Sequence, residues 1–244
     1  MIDWVLHFRP AILAMLSGVS PYTVSGPFIP WVLVILAPLA LLPVWPSIIA
    51  LFTTGLIAFI HAAKRAGAST LATILFILSP PVVIGLGQGN PEWLVILGLT
   101  LPPYLGMPLV LAKPQTGWIV ALFWVVEAWK SGGWTKALHT VGPTAILTLA
   151  SFMFFGFWPA QMDGIFWAGN MSPWPQLIPL GLVMLTMSLR RHKAEYAMVA
   201  GPCLSPYTLT HSWSGALFSL IKRPTELAVA VAGWWAMILI DYWR

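Results

Sequence analysis

A 244-residue chain that is 59% hydrophobic and only 8% charged is not composed like a soluble domain, for which about 45–50% apolar and about 25% charged residues are usual. Its net charge of +5 does not indicate nucleic acid, because nine of the twelve Lys and Arg residues sit in four short hydrophilic breaks: Lys64–Arg65, Lys130 with Lys136, Arg190–Arg191–Lys193 and Lys222–Arg223. One cysteine, Cys203, leaves no internal disulfide, and the five scattered histidines give no metal-ligand spacing, so neither a metal nor another cofactor is expected.

With mean hydropathy at +0.84, lipid is the expected solvent. There the backbone must satisfy its own hydrogen bonds, which leaves helices or a closed barrel. Barrel strands alternate apolar and polar residues; the runs 31–42, 48–63 and 145–157 do not. The chain therefore reads as all-α, a polytopic transmembrane helical bundle of roughly 7–9 membrane segments at about 20 residues each. It forms a single integral membrane domain over 1–244, with 1–45 an outer-face loop and interfacial helix and 46–244 the transmembrane bundle. Basic clusters mark cytoplasmic loops, so they orient the chain.

Residues 31–42, between Pro30 and Pro43, are too short to span and read as an interfacial or half-inserted helix. Residues 46–62 run inward to Lys64–Arg65, and 71–86 return outward, which puts the Gly87-Gln88-Gly89-Asn90 turn outside. Residues 91–129 must cross an odd number of times to bring Lys130 inside. They hold Pro102, Pro103, Pro108 and Pro114, which predicts broken or re-entrant helices lining a cavity. Residues 137–157 go out, 158–173 form an outer loop, and 174–189 return. Residues 194–221 are short for the two passes they need and also read as broken. The last span covers 225–242, with Trp243–Arg244 at an interface. The outer face then collects Asp3, His7, Arg9, Tyr22, Gln88, Asn90, Glu92, Asp163, Asn170 and His211, an assembly suited to acid–base chemistry.

Several motifs occur in a fixed order: Asp3; Leu16-Ser17-Gly18-Val19-Ser20-Pro21-Tyr22; Phe28-Ile29-Pro30-Trp31; Ala37-Pro38-Leu39-Ala40-Leu41-Leu42-Pro43; Gly87-Gln88-Gly89-Asn90; Ala112-Lys113-Pro114-Gln115; and Leu204-Ser205-Pro206 with His211 and Trp213. This order resembles the GT-C glycosyltransferases that use a polyprenyl-phosphate sugar, in particular the bacterial α-mannosyltransferase branch. The resemblance covers most of the chain. It implies a GT-C-like fold and an inverting membrane glycosyltransferase. Such an enzyme moves a hexose, mannose in the nearest branch, from polyprenyl phosphate to a lipid or glycan acceptor on the outer face of a bacterial inner membrane.

Carried over to this sequence, the resemblance makes Asp3 the general base for the acceptor hydroxyl and His211 a second catalytic residue near the phosphate or the base. Lys113 neutralises the lipid phosphate. Gln88 and Asn90 contact sugar or acceptor, with Tyr22 and Arg9 also in the substrate-binding set. Direct displacement at an anomeric carbon needs a base for the incoming hydroxyl and positive charge for the departing phosphate. The implied partners are the polyprenyl-phosphate sugar, membrane lipids and other membrane subunits. The family carries a transmembrane helix ahead of its acidic residue, whereas Asp3 stands third here. The Trp and His after Ser-Pro also lie closer together in the family. The alternative expectation is therefore a non-catalytic GT-C-like integral membrane subunit of a larger membrane complex.

Overall fold

In the computed structural model, residues 1–24, 28–161 and 169–242 are described, the side chains of Asp241 and Tyr242 excepted. Asp163 and the Trp243–Arg244 end lie outside the described residues. All regular structure among the described residues is helical.

Proline sets the segmentation. α1 comprises a π-helical turn, Trp4–Phe8, running into Arg9–Leu16; α2 is Pro30–Ala40 and α3 is Val44–Arg65. Then follow α4 (Thr70–Ile77), α5 (Pro80–Gln88), α6 (Glu92–Gly98), α7 (Pro103–Val110) and α8 (Pro114–Phe155). The chain closes with α9 (Ile178–Arg191), α10 (Ala194–Leu204), a 3₁₀ turn at Thr210–Trp213, α11 (Ser214–Phe218) and α12 (Pro224–Tyr242). Five of these helices open on a proline, whose missing N–H and fixed φ suit a first helical turn.

Two helices, α3 and α8, are long and apolar enough to cross a membrane, or three segments if α4 and α5 count as one span bent by 55°. The sequence count of roughly 7–9 segments is not reproduced. Its shortfall has a physical cause: prolines cut the apolar stretches into pieces. Between Asn90 and Lys113 the chain makes only α6 and α7, of 7 and 8 residues, each about 10–12 Å long. The span expected over 71–86 is likewise split at Ser79–Pro80. That over 174–189 starts later, at Ile178.

α8 has 42 residues, which would run about 63 Å if straight, roughly twice a bilayer's ~30 Å hydrocarbon core. It breaks at Gly132 and Gly133, the latter at φ 62°, ψ −154°. Only glycine populates that region readily. Two arms result, 114–131 and 134–155.

The core holds Trp4, Ile12, Leu33, Leu36, Phe59, Phe76, Ile96 and Ile119, all fully buried. α2 is pinned across it by the Trp31 indole donating to the Pro108 carbonyl at 2.9 Å. α7 and the first arm of α8 touch backbone to backbone: a Cβ on Gly117 would sit 1.9 Å from the Val110 carbonyl oxygen. Many large apolar side chains are exposed, among them Met153 at 86%, Phe154 at 82% and Trp45 at 75%. Apolar exposure on this scale calls for a covering of lipid or protein.

Candidate functional site

The site is built from helix ends. The N-terminal segment is tied down by three contacts. The Met1 ammonium donates to the Gly87 carbonyl. The buried Trp4 indole donates to Ser47 Oγ of α3 at 2.7 Å. Gly89, at φ 76°, caps α5 in the left-handed region, and a Cβ there would lie 2.7 Å from that of Trp4. Glycine is thus required twice over, for the turn and for the close approach. These contacts hold Asp3 beside Asn90.

From Asn90 a polar chain runs inward. Asn90 Nδ2 donates to Asp3 Oδ2 at 2.9 Å, and Asn90 Oδ1 accepts from the Lys113 ammonium at 2.7 Å. One amide thus serves a carboxylate and an ammonium with the correct end toward each. Lys113 also meets His211 Nε2 at 2.7 Å and Glu92 Oε2 at 3.3 Å. Since the ammonium only donates, Nε2 is the acceptor and the imidazole proton sits on Nδ1. That Nδ1 is buried and has no partner. Glu92 Oε1 accepts from Ser214 Oγ of α11 at 3.4 Å. Glu92 is 1% and His211 0% exposed, whereas Asp3 is half-buried. Asp3 is thus the more accessible of the two carboxylates.

Local sequence explains each position. Lys113 precedes Pro114 and is extended, at φ −131°, ψ 92°, as the residue before proline prefers; this aims it off the start of α8 rather than along it. Pro91 starts a new helix, and Glu92 is its first residue. His211 lies in the 3₁₀ turn between Pro206 and α11.

Lys113 also forms part of the wall of a cavity of about 460 Å³ bounded by Phe8, Phe28, Ile29, Val32, Trp118 and Tyr207, with Gln115 and Ser205 among its few polar members. Ser205 braces that wall: its Oγ accepts from the Trp118 indole at 3.1 Å and lies 2.7 Å from the Gln115 carbonyl. Asn170 is fastened to the same segment, donating to the Pro206 carbonyl at 3.0 Å and accepting from the Thr208 amide at 3.0 Å.

No protein-family model, curated protein or solved structure matches this chain.

Of the residues expected from sequence, the structure brings Asp3, Asn90, Lys113 and His211 into one bonded chain. The other three have roles elsewhere. The Tyr22 hydroxyl donates to the Phe28 carbonyl at 2.8 Å, and burial raises its pKa well above the usual phenol range. Arg9 donates to the Leu42 carbonyl at 3.2 Å. Gln88 closes α5, half-buried. Sequence reasoning placed Glu92 on the outer face without a role, yet it pairs with Lys113. Its place two residues after Asn90, across a proline, was the available signal. Ser214 and Tyr207 carried none. Among the described residues no group of His, Cys, Asp and Glu is arranged to hold a metal.

Proposed function

We propose that this chain is a membrane glycosyltransferase that moves a hexose, mannose by the resemblance, from polyprenyl phosphate to a lipid or glycan hydroxyl, with inversion. The observation that carries this reading is the hydrogen-bonded chain Asp3–Asn90–Lys113–His211 beside an apolar cavity. Its four members come from four separate segments and are the residues whose motifs resemble the family. A buried ammonium at the end of an apolar cavity suits a lipid whose headgroup is a phosphate, with dispersion holding the chain and charge-assisted bonds holding the head.

In this mechanism Asp3 takes the proton of the acceptor hydroxyl as its oxygen attacks the anomeric carbon. The bond from that carbon to the phosphate oxygen breaks, and the phosphate leaves with the electron pair. Lys113 stabilises the charge that develops there. Asn90 orients both groups, and His211, neutral and accepting from Lys113, holds the ammonium in place. We assign the network to the extracytoplasmic side, opposite the basic clusters, with the chain held in the membrane by α3, α8 and the broken helices between them.

The test is transfer of labelled sugar from polyprenyl phosphate in membranes. Asp3→Asn keeps the shape and removes the basic oxygen; a positioned base contributes about 10²–10⁴-fold, and a loss of that size is expected. Glu195→Gln, on the exposed start of α10, should transfer normally. Equal rates for wild type and Asp3→Asn would remove Asp3 from the mechanism. A wild type that transfers nothing and is recovered from mild detergent only in a stoichiometric complex would support the non-catalytic subunit instead.

A further inference from the structure

Lys113 donates to Asn90 Oδ1 at 2.7 Å and His211 Nε2 at 2.7 Å and is ion-paired with Glu92 Oε2 at 3.3 Å, an oxygen that makes no hydrogen bond. In this state the charge of the ammonium is already matched by an internal anion. One partner has to yield when an anion binds. Asn90 and His211 are held by short bonds. Glu92 is the longest contact, and it is otherwise held by a long bond from Ser214 at 3.4 Å. It is also the one partner that is itself anionic, so an arriving phosphate oxygen would face its charge across the same ammonium. The site already carries two carboxylates, Asp3 and Glu92, against one ammonium.

We infer that Glu92 is a positioning residue that occupies the headgroup's place on Lys113 and is displaced by it. This rests on the reading of the cavity as a phospholipid-sugar site, and it gives Glu92 a role separate from the base. An unpaired buried ammonium is costly, so the empty site keeps its cation by supplying an internal anion. When the headgroup arrives it takes over that pairing, and Glu92 retains Ser214. The cost is affinity, because each binding event must break the internal pair. A residue that merely stabilises the fold would, on removal, leave binding the same or weaker. Removal of a competitor makes binding tighter.

The experiment uses the full chain in detergent with dodecyl phosphomannose, a phosphodiester bearing one charge and one chain, and dodecyl mannoside as the uncharged control. Titration calorimetry reads the affinity. Glu92→Gln should bind the phosphodiester about tenfold more tightly than wild type, or better, and bind the mannoside as wild type does. Lys113→Met should lose the preference for the phosphodiester. Should Glu92→Gln fail to fold, Glu92→Asp keeps the charge and draws it back from the ammonium by one methylene; it too should bind more tightly than wild type. Wild-type binding with equal or weaker affinity in the folded variant overturns the displacement inference and leaves the site reading intact. No preference for the phosphodiester by wild type or either variant overturns the site reading, and the inference with it.

Discussion

Lys113 joins the proposed chemistry and the stability risk in one side chain. Lys113 is 8% exposed and shares its surroundings with Glu92, which is 1% exposed. Removing one partner of a buried ion pair costs about 3–5 kcal/mol, whereas replacing both is often close to neutral. Lys113→Met should therefore lower the unfolding midpoint sharply, because it strands a carboxylate. Adding Glu92→Leu to it should restore much of that loss while leaving sugar transfer absent. Additive losses in the double variant would mean that the two groups are energetically independent, contrary to their 3.3 Å contact. The same residue shows what the sequence made legible. Lys113 stood out as the basic residue of Ala112-Lys113-Pro114-Gln115, one of the motifs that carry the resemblance. Asp3, Asn90 and His211 stood out by their order along the chain. Glu92 did not, because a carboxylate at a helix start is common, and only the fold reveals that the Lys113 side chain comes within reach of it. Arg9 and Tyr22 stand outside that bonded chain, each donating to a backbone carbonyl, a use that leaves no mark in sequence.

At the scale of elements, the prolines were the most informative residues and also the source of the main miscount. Helices start at Pro30, Pro80, Pro103 and Pro114, and the stretch 91–129, expected to be broken, divides into α6, α7 and the start of α8. What the prolines did not reveal is how closely the fragments pack. α6 and α7 fold against one another and α8, where backbone meets backbone, and that closeness rests on glycine. Gly117 admits no Cβ, since the Val110 carbonyl lies 1.9 Å from where it would be, and that atom belongs to backbone and cannot swing aside. Gly117→Ala should thus destabilise the chain by about 1–3 kcal/mol or more and, by shifting the start of α8, lower sugar transfer as Lys113 moves off Asn90. Gly142→Ala is the matched control in the same helix: nothing lies within 4 Å of its built Cβ. Alanine there should be neutral or add up to about 1 kcal/mol. Thermal unfolding in detergent separates the two, and similar midpoints for both variants would refute the backbone contact between α7 and α8.

Charge is unevenly placed along the described elements. The Asp3–Asn90–Lys113–His211 chain forms where α5 and α10 end and α6 and α8 begin. Basic residues stand at the other ends of α6, of the first arm of α8 and of α10. Arg65, at the end of α3, donates to the Thr100 carbonyl just beyond the far end of α6, at 3.0 Å. Lys130 donates to the Leu189 carbonyl of α9 at 3.3 Å, and His192 contacts Glu127. The first arm of α8 carries the chain from Lys113 to that basic end over about 27 Å, close to the thickness of a hydrocarbon core. The basic clusters themselves are legible in sequence, and the side of the membrane on which they lie is an expectation drawn from them. The helix count was not legible, because hydropathy does not distinguish one long pass from two short packed fragments. The orientation proposed above can be tested without reference to catalysis. The second arm of α8, at 134–155, is about 33 Å long, so Gln161 beyond its far end and Lys193 near its basic beginning should face opposite solutions. Both are exposed. In a Cys203→Ala background, Gln161→Cys should react with an impermeant maleimide added to intact cells, and Lys193→Cys only after the membrane is permeabilised. The reverse pattern would put the network on the cytoplasmic side, away from any acceptor outside. Reaction of both in intact cells would show that this arm does not cross at all, and the exposed Met153 and Phe154 on it would then have to be covered by a partner protein in place of lipid.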